Sequence, residues 1–359
     1  MILFRADGNS VVGMGHVMRC FSIADAFRKE GERCLFVTAD DKLQEVIKGH
    51  GYEHHILGTD YDQMISELPL LKSMVDSRGV DIVFVDSYYV TDEYLRELWS
   101  FCHRKGALLV YIDDVLAFPY PCDVLINYNI FALREAYETL YANANIVVPE
   151  FLLGTDYTPL REEFQGLPDR EVRLVGSDIL ISTGGADAEH IGLESLKNIM
   201  AHEEWKEYVF HFVIGGMNAD KQEIYGLAEG QKNIRLHQGV KRMSELMQSC
   251  DVAISAAGST LYELCSTQTP TLTYILADNQ IPGAEGFEKK QILKCIGDVR
   301  NLGAQKLSEE LLHGAVLLLE DTVQRRAIAE KMKTVIDGKG ADRVAKEVKK
   351  LVEQICKSK

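Results

Sequence analysis

The 359-residue chain has no uninterrupted apolar run of about 18 residues, so neither a membrane-spanning helix nor stable membrane insertion is expected. No basic stretch followed by a long apolar segment opens the sequence, so no signal peptide is expected either. Basic residues are outnumbered: the formal net charge is −15, which argues against a general surface for nucleic acid or anionic membranes. A cytoplasmic protein that binds no nucleic acid is therefore predicted.

The eight cysteines include no C-x-x-C pair and no spacing typical of a zinc site. Scattered cysteines in a chain of this length predict reduced thiols. Asp113 and Asp114 are adjacent carboxylates, but two neighbouring acids do not make a metal site, and no His or Glu beside them completes one. The sequence thus predicts neither a metal ion nor another cofactor.

The length of 359 residues exceeds one ordinary core and predicts two domains. In both halves apolar strands alternate with helices, a pattern typical of parallel sheets covered on both faces. Ligands of such folds bind at the carboxyl ends of the strands, so we expect a site in a cleft between the domains. The predicted parts are a first domain over 1–156, a linker over 157–176, a second domain over 177–338 and a C-terminal helix over 339–359. Local periodicity adds a strand over 55–57, one helix over 64–77, and helix from Ser308 onward.

The first twenty residues predict a short buried strand, a glycine turn and a helix with a histidine in its first turn, at Gly13-Met14-Gly15-His16. Glycines let the backbone approach a ligand closely, and the free amides of a helix start favour an anion. The positive end of the helix dipole disfavours a charged His16, and a neutral imidazole is what a general base requires. The segment lacks the third glycine of a dinucleotide fingerprint and the Gly-Lys-Ser/Thr of a P-loop. Two interpretations stay open: a catalytic, ligand-facing turn, or a tight turn with a helix-capping histidine.

Polar residues follow two buried strands of the first half, at Asp86-Ser87-Tyr88 and at Asp113-Asp114. Residues at strand ends in such sheets often face the ligand. The plain alternative is a pair of helix N-caps, because Asp and Ser are good capping residues. Tyr88 is accordingly either a packing residue or part of the cleft wall.

Two strand-to-helix turns stand out in the second half, Thr183-Gly184-Gly185 and Ala257-Gly258-Ser259-Thr260. Both can present backbone amides to phosphate, and the second adds hydroxyl donors. Glu263 follows one helical turn later on the same side, where a carboxylate can bind the two hydroxyls of a ribose. An ordinary capped junction is the alternative for either turn alone. Together with Pro270 and Asn279-Gln280, the second turn favours a nucleotide-diphosphate-sugar site.

Taken in order, these motifs resemble a known family. Residues 5–9 (RADGN) and 13–20 (GMGHVMRC) are similar to the signature of the UDP-2,4-diacetamido-2,4,6-trideoxy-β-L-altropyranose hydrolases of pseudaminic acid biosynthesis, which have close relatives among spore-coat polysaccharide proteins. The two strand-end motifs of the first half, and the segment 154–164, match the same family. The segments 182–187 and 258–280 resemble the nucleotide-binding domain of MurG-like glycosyltransferases. The resemblance covers most of residues 1–285.

The resemblance implies a GT-B arrangement, in which two α/β, Rossmann-like domains turn their parallel sheets toward an interdomain cleft. It implies hydrolysis of the C1–oxygen bond of a UDP-sugar with inversion, with water as the acceptor. The family's catalytic histidine falls on His16, and its UDP contacts fall on the second-half segments. A UDP-sugar glycosyltransferase and a non-catalytic nucleotide-sugar binding protein are the alternatives. The predicted substrate-binding residues are Arg5, Asp7, Gly13, Gly15, Tyr88, Gly184, Gly185, Gly258, Ser259, Thr260, Glu263, Asn279 and Gln280.

Overall fold

A computed structural model describes residues 1–9 and 12–357, with side chains through Gln354. The side chain of Cys356 and the last two residues of the predicted C-terminal helix lie outside this range. The chain divides into two compact units, which are taken in turn: unit 1 comprises Met1–Glu162 with Gly338–Lys359, and unit 2 comprises Glu163–Asp337. The seven described cysteines are free thiols, as their spacing predicts. Among the described helices, none has both the length and the apolar character needed to cross a membrane.

Unit 1 contains a seven-stranded parallel sheet in the order β3-β2-β1-β4-β5-β6-β7. Its strands are β1 Ile2–Ala6, β2 Cys34–Thr38, β3 Glu53–Ile56, β4 Ile82–Asp86, β5 Leu108–Ile112, β6 Val124–Asn127 and β7 Glu150–Leu153. Its helices are α1 Gly15–Lys29, α2 Gln44–Gly49, α3 Leu68–Arg78, α4 Asp92–Lys105 and α5 Arg134–Tyr141, together with the C-terminal helix of the chain.

The central strands of unit 1 are mostly apolar and are buried along their whole length, because helices cover both faces of the sheet. Every residue of β1, β2, β4 and β5 is buried. Phe4 stacks between Phe36 and Phe84, with ring centroids 5.1 and 4.7 Å away. At the carboxyl ends of these strands, Ala6 of β1 lies opposite Asp86 of β4. The residues that follow β1 therefore lie beside the end of β4.

One helix and one strand of unit 1 differ from the prediction. Residues Met64–Glu67 form a 3₁₀ turn, and α3 begins only at Leu68 with a proline in its first turn. Proline is tolerated there because the first helical amides have no intrahelical partner, so the predicted single helix over 64–77 is wrong at its start. The predicted strand over 55–57 is displaced to Glu53–Ile56.

Unit 2 contains a six-stranded parallel sheet in the order β10-β9-β8-β11-β12-β13. Its strands are β8 Asp178–Ser182, β9 Val209–Ile214, β10 Ile234–Gln238, β11 Val252–Ala256, β12 Thr271–Ile275 and β13 Lys294–Asp298. Its helices are α6 Ile191–Ala201, α7 Lys221–Ala228, α8 Met243–Ser249, α9 Thr260–Ser266, α10 Ile281–Lys289, α11 Val299–Leu302, α12 Ala304–Glu320 and α13 Thr322–Val335.

The C-terminal helical region begins at Ala304, four residues before the predicted start, and forms three helices. Asp321 separates α12 from α13, and its carboxylate accepts the Gln324 amide as an N-cap. The last helix, α14 Gly340–Lys357, packs on unit 1, where Lys349 pairs with Glu30 at 2.8 Å and with Glu32 at 3.2 Å. The chain therefore returns to its first unit at the end.

Candidate functional site

The end of β4 and the start of α1 bring a histidine and a carboxylate together in unit 1. His16 is 5% exposed, and its Nδ1 lies 2.5 Å from Oδ1 of Asp86. Burial raises the pKa of Asp86, but Arg19 and His16 outweigh burial and hold it well below its usual value. An ionised carboxylate can only accept, so we assign the ring proton to Nδ1. In a neutral imidazole this assignment leaves Nε2 of His16 without a proton.

Arg19 fixes the carboxylate from its other side. It lies one turn after His16 on α1 and binds Asp86 in bidentate fashion, with Nε and Nη2 each donating at 2.5 Å. Its Nη1 donates to Asp114 at 2.7 Å and to the Tyr128 hydroxyl at 2.9 Å. Burial lowers the pKa of Arg19, but these acids raise it well above its ordinary value. Arg19 therefore stays charged and holds Asp86 in one orientation.

Aromatic side chains shape the space beside the histidine. The Tyr88 ring meets His16 edge to face at 4.5 Å, and its hydroxyl donates to Asp114 at 3.2 Å. A cavity of about 10 Å³ lies here, the volume that one water molecule needs. Its lining residues are Asp7, Val12, His16, Tyr61, Asp86, Ser87, Tyr88 and Tyr89. Three residues of the predicted set, Asp7, His16 and Tyr88, thus share one small cavity.

Arg5 differs from its predicted role as a substrate contact, because its side chain is wholly buried. It donates to Glu67 at 2.8 and 2.7 Å and to Asp7 at 2.5 Å. The second oxygen of Asp7 accepts the Ala39 amide at 2.8 Å. Burial lowers the pKa of Arg5, but Glu67 and Asp7 raise it overall. Arg5 therefore positions Asp7 at the cavity and does not itself reach solvent.

The glycine turn before α1 adopts the geometry that its sequence requires. Gly13 has a φ of +74°, and its amide donates to the Asn9 carbonyl at 2.8 Å. Gly15 is exposed, and an added Cβ there would meet no atom within 4 Å. The His16 ring binds Asp86, whereas the Met14 side chain at the N-cap makes no capping bond. A capping histidine, the plain alternative, is therefore not what the structure contains.

In unit 2 the turn Thr183-Gly184-Gly185 follows β8, and Gly184 needs its φ of +90°. The backbone of Gly215, after β9, runs against this turn: an added Cβ would lie 2.2 Å from the Gly185 carbonyl oxygen. Asp187 joins the end of this turn to the start of α6, since its carboxylate accepts hydrogen bonds from the Ile191 amide at 3.1 Å and the Gly192 amide at 2.8 Å. Burial raises the pKa of Asp187 to about 6, although these amides oppose the shift.

The turn at Gly258-Ser259-Thr260 follows β11. It lies at the same edge of the sheet as the turn after β8, because β8 and β11 are parallel neighbours with Ser182 opposite Ser255. Ser259 is exposed, whereas Thr260 and Glu263 are half-buried at the start of α9. Asn279 is exposed in the loop after β12. The Gln280 side chain accepts the Leu276 amide at 2.9 Å, so it holds its own loop together.

Two residues that matter for the site are absent from the predicted set, Asp86 and Arg19. The signal for Asp86 was its position at a strand end, which equally fits an N-cap. The signal for Arg19 was its spacing of three from His16, which places both on one helix face. Neither signal shows the pairing itself, because Asp86 is 70 residues from His16.

A separate cavity of about 610 Å³ lies in unit 2. Thr271 and Lys294, which are the first residues of β12 and β13, line this cavity together with residues of α10, α12 and α13. Because the strands are parallel, these positions are at the opposite end of the sheet from the turns after β8 and β11. This larger cavity is therefore distinct from the predicted binding turns.

The second half of the chain is similar to a known family of domains. Residues 178–352 match the model of the glycosyltransferase family 28 C-terminal domain. The matched region contains both turns that the sequence singled out, at Gly184-Gly185 and at Gly258-Ser259-Thr260. The predicted α/β fold with two Rossmann-like domains of the GT-B type is confirmed, since a crystal structure of Acinetobacter baumannii MurG matches with a TM-score of 0.65 at 13% identity, over 97% of this chain and 99% of that one.

Two curated relatives match most of this chain. The Helicobacter pylori "Pseudaminic acid cytidylyltransferase and UDP-2,4-diacetamido-2,4,6-trideoxy-beta-L-altropyranose hydrolase" is 27% identical over 305 residues, 82% of this chain. The chain spans 49% of that relative's length. The Campylobacter jejuni "UDP-2,4-diacetamido-2,4,6-trideoxy-beta-L-altropyranose hydrolase" is 25% identical over 296 residues, 80% of this chain and 96% of that protein. The predicted resemblance to these hydrolases is confirmed.

Proposed function

We propose that this protein hydrolyses a UDP-linked 2,4-diacetamido-2,4,6-trideoxy sugar, releasing UDP and the free sugar for nonulosonic acid biosynthesis. The observation that carries the proposal is the buried His16–Asp86 pair beside a cavity about the size of one water molecule. The names of two relatives, both of which include hydrolysis of such a UDP-sugar, suggest the substrate.

In the proposed reaction, His16 acts as a general base. Nε2 takes a proton from water as the water oxygen forms its bond to C1 of the sugar. The C1–oxygen bond breaks with its electron pair going to UDP, so the anomeric configuration inverts. Asp86 stabilises the imidazolium that forms and keeps the ring in place, as a carboxylate does in other histidine-based sites. The proton then passes from His16 to solvent.

UDP is a good leaving group, so the proposal needs no protonating acid. An inverting glycosidase normally requires two carboxylates, one of which protonates the leaving oxygen. Here the negative charge that develops on the diphosphate would be held by the backbone amides of the glycine turns and the hydroxyls of Ser259 and Thr260. We assign Glu263 to the ribose hydroxyls and Asn279 to a further polar contact with UDP.

A glycosyltransferase is the second candidate, and the family 28 match favours it, because that domain is named for glycosyl transfer. Both candidates use the same UDP-sugar and the same base. They differ in the acceptor: a hydrolase needs only water, whereas a transferase needs a hydroxyl group of a second molecule. The distinction therefore lies in the products formed without an added acceptor.

The test is incubation of the full chain with a panel of UDP-diacetamido-trideoxy sugars in ¹⁸O-labelled water, with no acceptor present. The proposal predicts UDP release, ¹⁸O in the free sugar and none in UDP, since C1–oxygen cleavage leaves the bridging oxygen on the nucleotide. Proton NMR of the first product formed should show the inverted anomer. Turnover that appears only with an added acceptor would establish the transferase instead.

His16→Ala tests the catalytic assignment, and His55→Ala is its matched control. His55 is an exposed histidine of the same unit, on β3. We expect His16→Ala to lose UDP release by about 10²–10⁴-fold, the usual contribution of a general base, while His55→Ala keeps wild-type turnover. An undiminished rate in His16→Ala would rule out His16 as the base.

A further inference from the structure

A cluster of metal-ligating side chains lies on unit 2, apart from the residues to which the proposed reaction assigns a role. His202 follows the last residue of α6, and Glu309 and His313 lie on α12. Each offers one ligand atom, and the three atoms lie within 4.8 Å of one another. The sequence does not reveal the full set, because His202 is far in the chain from Glu309 and His313.

The two helices hold the cluster in a fixed frame. Glu309 and His313 are four residues apart on α12 and so project from one face of that helix. One turn before His202, the Asn198 side chain donates to the Ser308 hydroxyl at 2.7 Å and to the Gln305 carbonyl at 3.2 Å. These bonds join α6 to α12 next to the cluster, so the backbone positions of the ligands are set before any ion binds.

The surroundings of the two histidines also match those of metal ligands. Trp205 is buried, and its ring stacks on His202 at 4.1 Å and meets His313 edge to face at 4.9 Å. Glu204 Oε1 lies 3.1 Å from Nδ1 of His202. A ligating histidine commonly donates its other ring N–H to a carboxylate, which orients the ring and raises its basicity. Glu204 supplies that partner and leaves Nε2 of His202 for an ion.

We propose that His202, Glu309 and His313 bind a divalent transition-metal ion, for which Zn²⁺ is the model ion. Two imidazoles and one carboxylate suit Zn²⁺ and its first-row neighbours, whereas Mg²⁺ and Ca²⁺ prefer sites made only of oxygen. Tetrahedral zinc places its ligand atoms about 3.3 Å apart, so the cluster must contract by about 1.5 Å at most. His313 is exposed, so its ring can turn toward the other two ligands at little cost to the core.

The position of the site points to a structural role. The glycine turn at Gly184-Gly185 precedes the first residue of α6, and His202 follows the last. A helix of 11 residues is about 16 Å long, so the ion is remote from that turn. The ion would join the end of α6 to α12, and it takes no part in the proposed hydrolysis. The inference is therefore independent of the proposed function.

The test uses the full chain after removal of metals with EDTA. Isothermal titration with ZnCl₂ should show one saturable equivalent, and thermal unfolding should shift to higher temperature with added Zn²⁺ but not with Mg²⁺. Co²⁺ should give the visible d–d absorption of a nitrogen- and oxygen-ligated site. Absence of a saturable one-equivalent event for both Zn²⁺ and Co²⁺ would overturn the proposal.

Two ligand variants, Glu309→Gln and His313→Ala, test the assignment of the site. Loss of a group that only hydrogen-bonds to a metal ligand costs about 10–100-fold in metal affinity, so loss of a ligand itself should weaken Zn²⁺ binding by at least about tenfold. The matched controls are Glu310→Gln, the next carboxylate on α12, and His55→Ala, an exposed histidine of unit 1. Both controls should bind Zn²⁺ as the wild type does. Ligand variants that keep wild-type affinity and the Co²⁺ spectrum would refute the site even if the chain binds zinc elsewhere.

Discussion

His16 and Asp86 are joined by a hydrogen bond of 2.5 Å between Nδ1 and Oδ1, although 70 residues separate them in the chain. The register of the first sheet makes this bond possible, because Asp86 pairs with Ala6 just before the glycine turn. Arg19 then holds the carboxylate in a bidentate pair. The bond orients the ring, and the carboxylate favours a proton on Nδ1.

The first prediction concerns Asp86→Asn. An amide can donate to Nδ1 and so favours the wrong tautomer, with the proton on Nε2, where the proposed base must be free. We expect kcat for UDP release to fall by about 10²–10⁴-fold, while the dissociation constant for UDP stays near the wild-type value. Steady-state kinetics and UDP titration separate the two effects.

A double variant shows whether Asp86 acts through His16. If the two residues form one unit, Asp86→Asn adds little to the loss already caused by His16→Ala. Asp81→Asn is the matched control, because Asp81 precedes the same strand with its side chain 64% exposed. Rate losses that simply multiply in the double variant would contradict a role for Asp86 through the ring.

The second prediction concerns the proposed binding of UDP by unit 2. Glu263→Gln keeps the shape of the side chain but removes the charge proposed to bind the ribose hydroxyls. Hydrogen bonds to charged groups contribute about 1.5–3 kcal/mol, so UDP should bind at least about tenfold more weakly. Isothermal titration with UDP provides the measurement, and Glu245→Gln, an exposed acid on α8, is the control. His16→Ala should bind UDP normally; equal affinity in Glu263→Gln and wild type would remove Glu263 from the site.

Local patterns were sufficient to predict the central strands of both sheets and the glycine turns. A buried parallel strand such as β4 is a continuous apolar run, and the turn that follows is marked by polar residues or glycine. Gly184 and Gly13 were recognisable because a tight turn with positive φ favours glycine. The predicted α/β class followed from the repetition of these units.

Partners distant in sequence were beyond the reach of the same patterns. Arg5 stands near a strand end and was assigned to the substrate, yet it is buried against Glu67, which is 62 residues away. Nothing near Arg5 in the sequence signals that carboxylate. Gln280 also makes a contact that the sequence does not signal, because its amide oxygen accepts the Leu276 amide and closes its own loop. Polar side chains at predicted sites can therefore hold the local structure, and the sequence alone does not show which of them do so.

The third prediction is a pH dependence caused by Asp187, whose pKa burial raises from 3.8 to about 6. Between about pH 4 and pH 6 the unfolded chain releases this proton while the folded protein keeps it. The folded state then binds more protons, so this group makes the free energy of unfolding fall as pH rises, by up to about 3 kcal/mol. Above about pH 6 the contribution is constant.

Asp187→Asn isolates that contribution from those of the other carboxylates. Asparagine does not titrate, so the stability of the variant relative to wild type should rise across pH 4–6 and then level off. Denaturant unfolding at a series of pH values measures the difference, and any constant offset reflects the lost bond to the Gly192 amide. Parallel stability curves for the two proteins would show that Asp187 has an ordinary pKa.

The fourth prediction tests the close approach of Gly215 to the turn at Gly184-Gly185. In Gly215→Ala the new methyl would lie 2.2 Å from the Gly185 oxygen and 2.6 Å from the Gly184 oxygen, so the backbone of the turn must move. Overpacking typically costs about 1–3 kcal/mol, and a clash with backbone belongs at the upper end.

Gly216→Ala is the control, because a methyl there meets no atom within 4 Å. We expect Gly215→Ala to lower the thermal stability and to weaken UDP binding, while Gly216→Ala changes neither. Weaker UDP binding without a loss of stability would place the effect in the turn itself, whereas normal UDP binding by Gly215→Ala would argue that this turn does not contact the nucleotide.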